Sequence, residues 1–364
     1  MVSETLQSAC DNAIRVARRG DTRSSVGLAR HAYRLAREES RQAELEALNA
    51  LALCQIANGS FIEAIATAID AFGVGDALGD RGGKAHALSS MAGAAPFILD
   101  ANSLALEMLD TCVHEAEAIG DSVLAARAHN TSGIVYANMQ RFDEGDRHFE
   151  LGMKLVEAGD NRAAIFVPHY LFLGNRAYLA VQRVKADPAV SDPAQRQRDA
   201  EDALARIDQV LKISGAESNI DAEARAYFCL GQLRAHLEEP EAALQAFQET
   251  LRRATQIRHN PRIIDTRIEM SRLYRNAGRH EEAIQALEVA YELADANRPS
   301  NRVPTICEAL VDALAHLGRD REAALHRAKT QHEQEAFQRQ NDHAVRDLKL
   351  FWQRLVASRA APAG

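Results

Sequence analysis

A small residue returns about every forty positions along this chain. Ser25, Ala64, Ala105, Gly145, Ala203, Ala243, Ala283 and Ala323 are separated by 39, 41, 40, 58, 40, 40 and 40 residues. Twelve positions before most of these anchors stands a second small residue, at Ala13, Ala52, Gly93, Gly133, Gly231 and Ser271. Five positions before four of them stands a glycine, at Gly20, Gly59, Gly278 and Gly318. So regular a stride constrains the fold more than composition can. A recurring unit of this length cannot bury its apolar face alone and must stack on its neighbours. The one long interval contains a polar insertion, QRVKADPAVSDPAQRQR (182–198), with two Asp-Pro pairs. Without it the spacing returns to about 41.

Each unit reads as two apolar-periodic segments around a short turn, hence two antiparallel helices. Ala52, Gly93, Gly133, Gly174 and Gly231 on the first helix face Ala64, Ala105, Gly145, Ala243, Ala283 and Ala323 on the second, where only small side chains let two backbones approach. Gly59, Gly278 and Gly318 suit the positive-φ position that ends a first helix. Phe61, Tyr136, Phe142, Phe149 and Phe247 fill the gaps. Composition agrees: Ala, Leu, Arg, Glu and Gln dominate, and aromatics are 5% of residues, so the core is built from small and aliphatic side chains. The expected fold is all-α, with about eight helical hairpins stacked into a curved solenoid.

The pattern Gly/Ala…Tyr…Gly-x-(Tyr/Phe)-x-x-Ala…Phe…Ala resembles the tetratricopeptide repeat. It is clearest in NTSGIVYANMQRFDEGDRHFELG (130–152), CLGQLRAHLEEPEAALQAFQETL (229–251) and MSRLYRNAGRHEEAIQALEVA (270–290). The stride of 40 exceeds the usual 34, and Gly-Asp pairs recur near the inter-repeat turn (Gly79-Asp80, Gly120-Asp121, Gly159-Asp160), as in the longer-helix variant of kinesin light chains and bacterial regulators. The resemblance implies a right-handed superhelix over residues 1–330 and a non-enzymatic adaptor or scaffold that binds a peptide or protein segment in its concave groove.

Residues 331–358 read as one further helix, followed by a tail at 359–364. Phe337, Asn341, Ala344, Leu348, Phe351 and Leu355 alternate by four and three, a heptad seam with a polar member. The seam serves either as a cap on the last repeat or as a homodimer interface through Phe337, Ala344, Leu348, Phe351 and Leu355. ALHRAKTQHEQEAF (324–337) is similar to the stretch that precedes the catalytic domain in diguanylate cyclases with tetratricopeptide sensor arms. No Gly-Gly-Asp/Glu-Glu-Phe signature occurs in the chain. That resemblance implies an alternative role: a ligand-responsive sensor arm, free-standing or cut from a longer protein, that regulates an output protein through its C-terminal helix.

The formal net charge of −8 argues against nucleic acid as a partner, because phosphate neutralisation needs a basic excess. No apolar run reaches the 18 residues of a membrane span, and the N-terminus lacks a signal-peptide core, so a cytoplasmic protein is expected. Cys10, Cys54, Cys112, Cys229 and Cys307 lie far apart and fit small buried residues. GDRGGKA (79–85) fails as a phosphate loop, since its spacing is one residue short and Ala85 stands where Ser or Thr must hold the metal. It reads as an inter-repeat turn. GVGDALG (73–79) fails as a dinucleotide fingerprint, its last glycine one place late. The thirteen histidines form no H-E-x-x-H, and Glu238-Glu239 and Glu281-Glu282 read as first-turn charges. No cofactor, metal or catalytic residue is expected.

The repeat frame assigns Arg127, Asn130, Asn138, Asn175, Tyr178, Arg225, Gln232, Arg272, Arg275 and Asn276 to the groove wall. Amides can satisfy an extended backbone and guanidiniums pair with carboxylates, so this half suits an acidic peptide or a peptide C-terminus. The competing reading is a solvated helix face. In the first three repeats the equivalent positions are mostly Ala, Leu and Ile, with Phe97, and an apolar trough is expected there.

Overall fold

The structure is a computed structural model that describes residues 2–98, 101–158, 169–186, 192–216, 219–295 and 302–360. Among the described residues there are sixteen α-helices and no strand. They are α1 (Glu4–Arg18), α2 (Thr22–Glu39), α3 (Arg41–Asn58), α4 (Phe61–Leu78), α5 (Arg81–Ala94), α6 (Asn102–Ile119), α7 (Ser122–Asn138) and α8 (Phe142–Ala158), then α9 (His169–Lys185), α10 (Pro193–Ala216), α11 (Ile220–His236), α12 (Pro240–Gln256), α13 (Asn260–Asn276), α14 (His280–Asp295), α15 (Arg302–His316) and α16 (Asp320–Ala360). A short 3₁₀ turn, Ala95–Phe97, follows α5. Odd and even helices pair into eight hairpins. All eight anchors fall on even helices, so the stride counts hairpins. Odd helices also pack on the next odd helix, α1 on α3 through α13 on α15, and form the inner wall.

The small residues act by steric exclusion. A Cβ added at Gly133 would lie 2.5 Å from the Phe149 ring, and one at Gly145 would lie 3.1 Å from the Gly133 carbonyl oxygen. The fourth hairpin therefore closes only because both positions lack a side chain. Gly59, Gly278 and Gly318 end their helices at φ of 79°, 71° and 68°, as the sequence requires. The phosphate-loop lookalike is an inter-repeat turn: Gly79 ends α4 and the Asp80 carboxylate caps α5, accepting from the Gly83 amide at 2.8 Å. Asp121 caps α7 in the same way. Gly159-Asp160 lies outside the described residues. So do 187–191 of the insertion; the flanking insertion residues are helical, 182–185 ending α9 and 193–198 extending α10 to 24 residues. Pro193 suits the first turn of α10, where its missing N–H costs nothing.

All five cysteines are buried, and none is in a disulfide. Burial pushes the Cys10 and Cys112 thiols up to about 12 and those of Cys54 and Cys229 up to about 11, so these four stay protonated and inert at neutral pH. No helix of the described residues is long and apolar enough to cross a membrane.

The solenoid returns on itself. Gly20, between α1 and α2, sits against Ile257 and His259 between α12 and α13, close enough that an added Cβ would lie 2.6 Å from Ile257 Cδ1. The C-terminal half of α16 packs across α4. Phe351 meets Phe72 edge-on at 4.9 Å between ring centroids, and Trp352 Nε1 donates to Glu107 Oε2 at 2.8 Å. Leu348 is fully buried in the core of the second and third hairpins, with Phe351 and Leu355 packed at its edge. This corrects the expectation of a dimer seam. Ala344 and Leu348 are buried within one chain, and Phe351 and Leu355 lean on that same core. Phe337 is half-buried. A heptad needs an apolar partner face, and here α4 supplies it.

Candidate functional site

One turn of odd helices lines a half-open chamber of about 430 Å³, within the range of ligand pockets. All eight hairpins line it. The first three contribute C-terminal ends of odd helices: Ala17 and Arg18 from α1, Cys54 and Ala57 from α3, and Gly93 from α5, with Phe97 just beyond. The fourth contributes the middle of α7, Arg127 to Ile134. The last four contribute N-terminal ends: Tyr170 and Asn175 from α9, Asp221 and Arg225 from α11, Arg262 and Asp265 from α13, and Arg302 from α15. The lumen therefore climbs along the helices from one repeat to the next.

Four of the ten groove residues meet in this chamber: Arg127, Asn130, Asn175 and Arg225. Three of them form a hydrogen-bonded chain in which Asn175 Nδ2 donates to Asn130 Oδ1 at 2.7 Å and Arg225 Nη1 donates to Asn175 Oδ1 at 2.7 Å. Gly174 makes room for it; a Cβ there would lie 2.7 Å from Arg225 Cδ. Arg127 reaches His86 Nδ1 at 3.2 Å and Ser89 Oγ at 3.3 Å. The other six lie outside the chamber. Asn138 is exposed and donates to the Pro96 carbonyl at 3.5 Å. Tyr178 packs at the edge of the fifth and sixth hairpins' core, where burial raises its phenol pKa. Gln232 is buried and donates to Glu269. Arg272 is exposed and pairs with Glu269, Arg275 pairs with Asp312, and Asn276 is exposed near the end of its helix.

Sequence reasoning missed Arg18, Tyr170, Asp221, His259, Arg262, Asp265 and Arg302 of the chamber wall. Each lies at a different height within its repeat from the position used as a frame. The signal that could have found them is the progressive shift of the lumen-facing register along the superhelix.

The wall carries five arginines, Arg18, Arg127, Arg225, Arg262 and Arg302, against two aspartates, Asp221 and Asp265. Arg302 pairs with Asp265 at 2.5 and 3.0 Å. Burial, with the neighbouring Arg127 charge, pushes the Arg18 guanidinium down to about 10. Burial, with Arg225, also lowers Arg262, which otherwise stacks on Phe228 at 5.0 Å. Burial lowers His259, so the ring is held neutral although Asp221 stands 3.7 Å away.

The expected apolar trough is present in part. Ile14, Leu53, Ile56 and Phe61 line the N-terminal side, and Phe61 stacks on Phe97 at 4.2 Å. A second cavity of about 500 Å³ adjoins it, however, behind Arg18 and Arg127, and is lined by Asp11, Glu46, Asp80 and Asp121. Burial, with Asp80, Asp11 and Glu39, raises the Glu46 carboxyl.

Comparison with known proteins agrees with this architecture. The sequence model of the tetratricopeptide repeat matches residues 222–296, which run from α11 to the end of α14. Residues 222–296 thus carry tetratricopeptide-type repeats, and the helical hairpins outside them continue the same all-α architecture. A Rap protein solved in complex with competence and sporulation factor aligns over 97% of this chain and 99% of its own, at 11% identity and a TM-score of 0.58. The apo form of RapI aligns over 79% of this chain and 97% of its own, at 14% identity and a TM-score of 0.52. At such identities the likeness is one of fold. No curated protein matches the chain by sequence.

Proposed function

We propose that the protein is a protein-interaction adaptor that takes a peptide or protein segment into the chamber. The observation that carries this reading is the Asn130–Asn175–Arg225 chain, drawn from three successive repeats and facing one chamber. Side-chain amides at repeat spacing satisfy the N–H and C=O groups of an extended backbone, which otherwise lose water on burial. The Phe61–Phe97 stack offers an apolar seat alongside. A structural relative is complexed with competence and sporulation factor, which supports a ligand-taking role for this fold. The test is selection of binders from a random peptide library on the immobilised protein. Enriched peptides should lose at least about tenfold in affinity on Asn130→Ala with Phe97→Ala, about 1.4 kcal/mol. Binders indifferent to both substitutions would place the binding face elsewhere and end this reading.

A second reading, a ligand-responsive arm acting through its C-terminal helix, has one observation in its favour. The helix that leaves the last repeat lies across α4, so its position reports whether the ring is closed. Trp352 is the only tryptophan and sits at that contact. Binding of a selected peptide should shift its emission; an unchanged spectrum and an unchanged scattering radius would leave a passive scaffold.

A further inference from the structure

Several charged side chains elsewhere in this molecule are paired, between neighbouring hairpins or within one. Asp146 accepts from Arg176 and Arg206, Arg253 pairs with Glu223 and Glu249, and Arg81 pairs with Glu115. The chamber differs. Among the described residues, Arg18 and Arg262 make no ion pair or hydrogen bond through their side chains, and the Nε of each is buried without a partner. Arg127 has only the His86 ring nitrogen and the Ser89 hydroxyl, and Arg225 only the Asn175 amide oxygen. The carboxylates behind Arg18 and Arg127 are committed elsewhere or held apart: Asp80 caps α5, Asp121 caps α7 and faces His86, and Glu46 and Asp11 form no ion pair with either arginine. On the other wall, Asp265 is taken by Arg302 and Asp221 stands beside His259. Burying an unpaired guanidinium is costly unless an anion completes it.

The unpaired cations also belong to distant parts of the chain. Arg18 is in the first hairpin, Arg127 in the fourth, Arg225 in the sixth and Arg262 in the seventh. Arg18 ends α1, where the helix dipole favours a cation, while Arg262 stands in the first turn of α13, at the positive end of that helix's dipole. A negative group in the lumen neutralises charge from both ends of the superhelix at once.

We propose that the chamber is an anion site in which Arg18, Arg127, Arg225 and Arg262 hold a carboxylate or phosphate group of the ligand, and that the bound anion ties the first repeat to the seventh. The proposal rests on the chamber being the binding space and adds the chemical group it selects. It also gives that group a structural consequence: the ring is pulled shut by its ligand.

The test uses the full chain with inorganic phosphate and with citrate, each against chloride at matched ionic strength, read by thermal melting and small-angle scattering. Either anion should raise the melting midpoint saturably and reduce the radius of gyration. A response to phosphate alone assigns a phosphate-bearing ligand, and a response to citrate alone or to both assigns a carboxylate-accepting site. Arg18→Gln with Arg262→Gln should weaken the response at least about tenfold, while the anion-free midpoint holds or rises because like charges have been removed. Arg18→Lys with Arg262→Lys should restore part of it. No specific response in the wild type, or a response unchanged in the glutamine variant, overturns the proposal. Peptide capture that survives the glutamine variant in full would sink the anion anchor alone and leave the adaptor reading standing.

Discussion

Two sets of arginines in this protein have opposite fates. On the outer side of the fourth and fifth hairpins, Arg176 and Arg206 converge on Asp146, with five nitrogen–oxygen contacts between 2.7 and 3.2 Å counting that of Arg176 to Glu150. In the lumen, Arg18 and Arg262 are as deeply placed and have no counter-ion among the described residues. The outer set joins neighbouring repeats, which are within reach of one another by construction. The inner set comes from repeats far apart in sequence, and no acid among the described residues completes it. The difference teaches that charge on the seam serves the stack, whereas charge in the chamber does not, which is what the proposed anion site requires.

Removing Asp146 should give the largest effect. Asp146→Ala leaves two guanidiniums facing one another across a half-buried seam and should cost about 3 kcal/mol of unfolding free energy, read from the urea midpoint. A loss near zero would make the outer pairs no more structural than the inner arginines. The same seam predicts an acid response. Burial alone would raise the Asp146 carboxyl, yet the hydrogen bonds and charges of Arg176 and Arg206 hold it at about 2. Its stabilising contribution is thus complete above the unfolded carboxylate range, near pH 4, and is lost as pH falls through about 2. After allowance for solvent screening this amounts to about 1–2 kcal/mol. Asp146→Asn should abolish that component of the pH–stability curve.

Within the chamber the effects on stability shrink while those on binding grow. Gly174→Ala drives a methyl against the flexible Arg225 chain, so stability should change by no more than about 1 kcal/mol. Displacing Arg225 breaks its bond to Asn175, and selected peptides should bind more weakly in calorimetry. Smallest of all, Arg262→Gln should leave the urea midpoint unchanged or raise stability by up to about 1 kcal/mol, since it deletes an uncompensated buried charge. A clear loss there would mean that Arg262 belongs to the stack after all, and the contrast between the two regions would fail.

The architecture was legible because its cause is local. Gly133 opposite Phe149, Gly59 at positive φ and Asp80 at the start of α5 each act within one hairpin or between neighbours, so the stride of 40 could be read directly as eight hairpins. The helical part of the insertion was not legible for a related reason: a proline after an aspartate marks a break in the chain, but in a first turn it is also a helix start. The candidate site was legible only at its centre. A frame that holds one height in every repeat reaches Arg127, Asn130, Asn175 and Arg225, in the middle repeats, and drifts out of the lumen by Arg272, Arg275 and Asn276.

Taken alone, the sequence determines the unit, the number of units and the side on which they stack, because these follow from contacts between residues at most one repeat apart. Only the tertiary structure decides how far each repeat turns relative to the last. Small rotations accumulate over eight hairpins until Gly20 meets Ile257, Leu348 and Trp352 close on the early repeats, and Arg18 and Arg262 face one cavity. That sum is non-local, and no single repeat contains it.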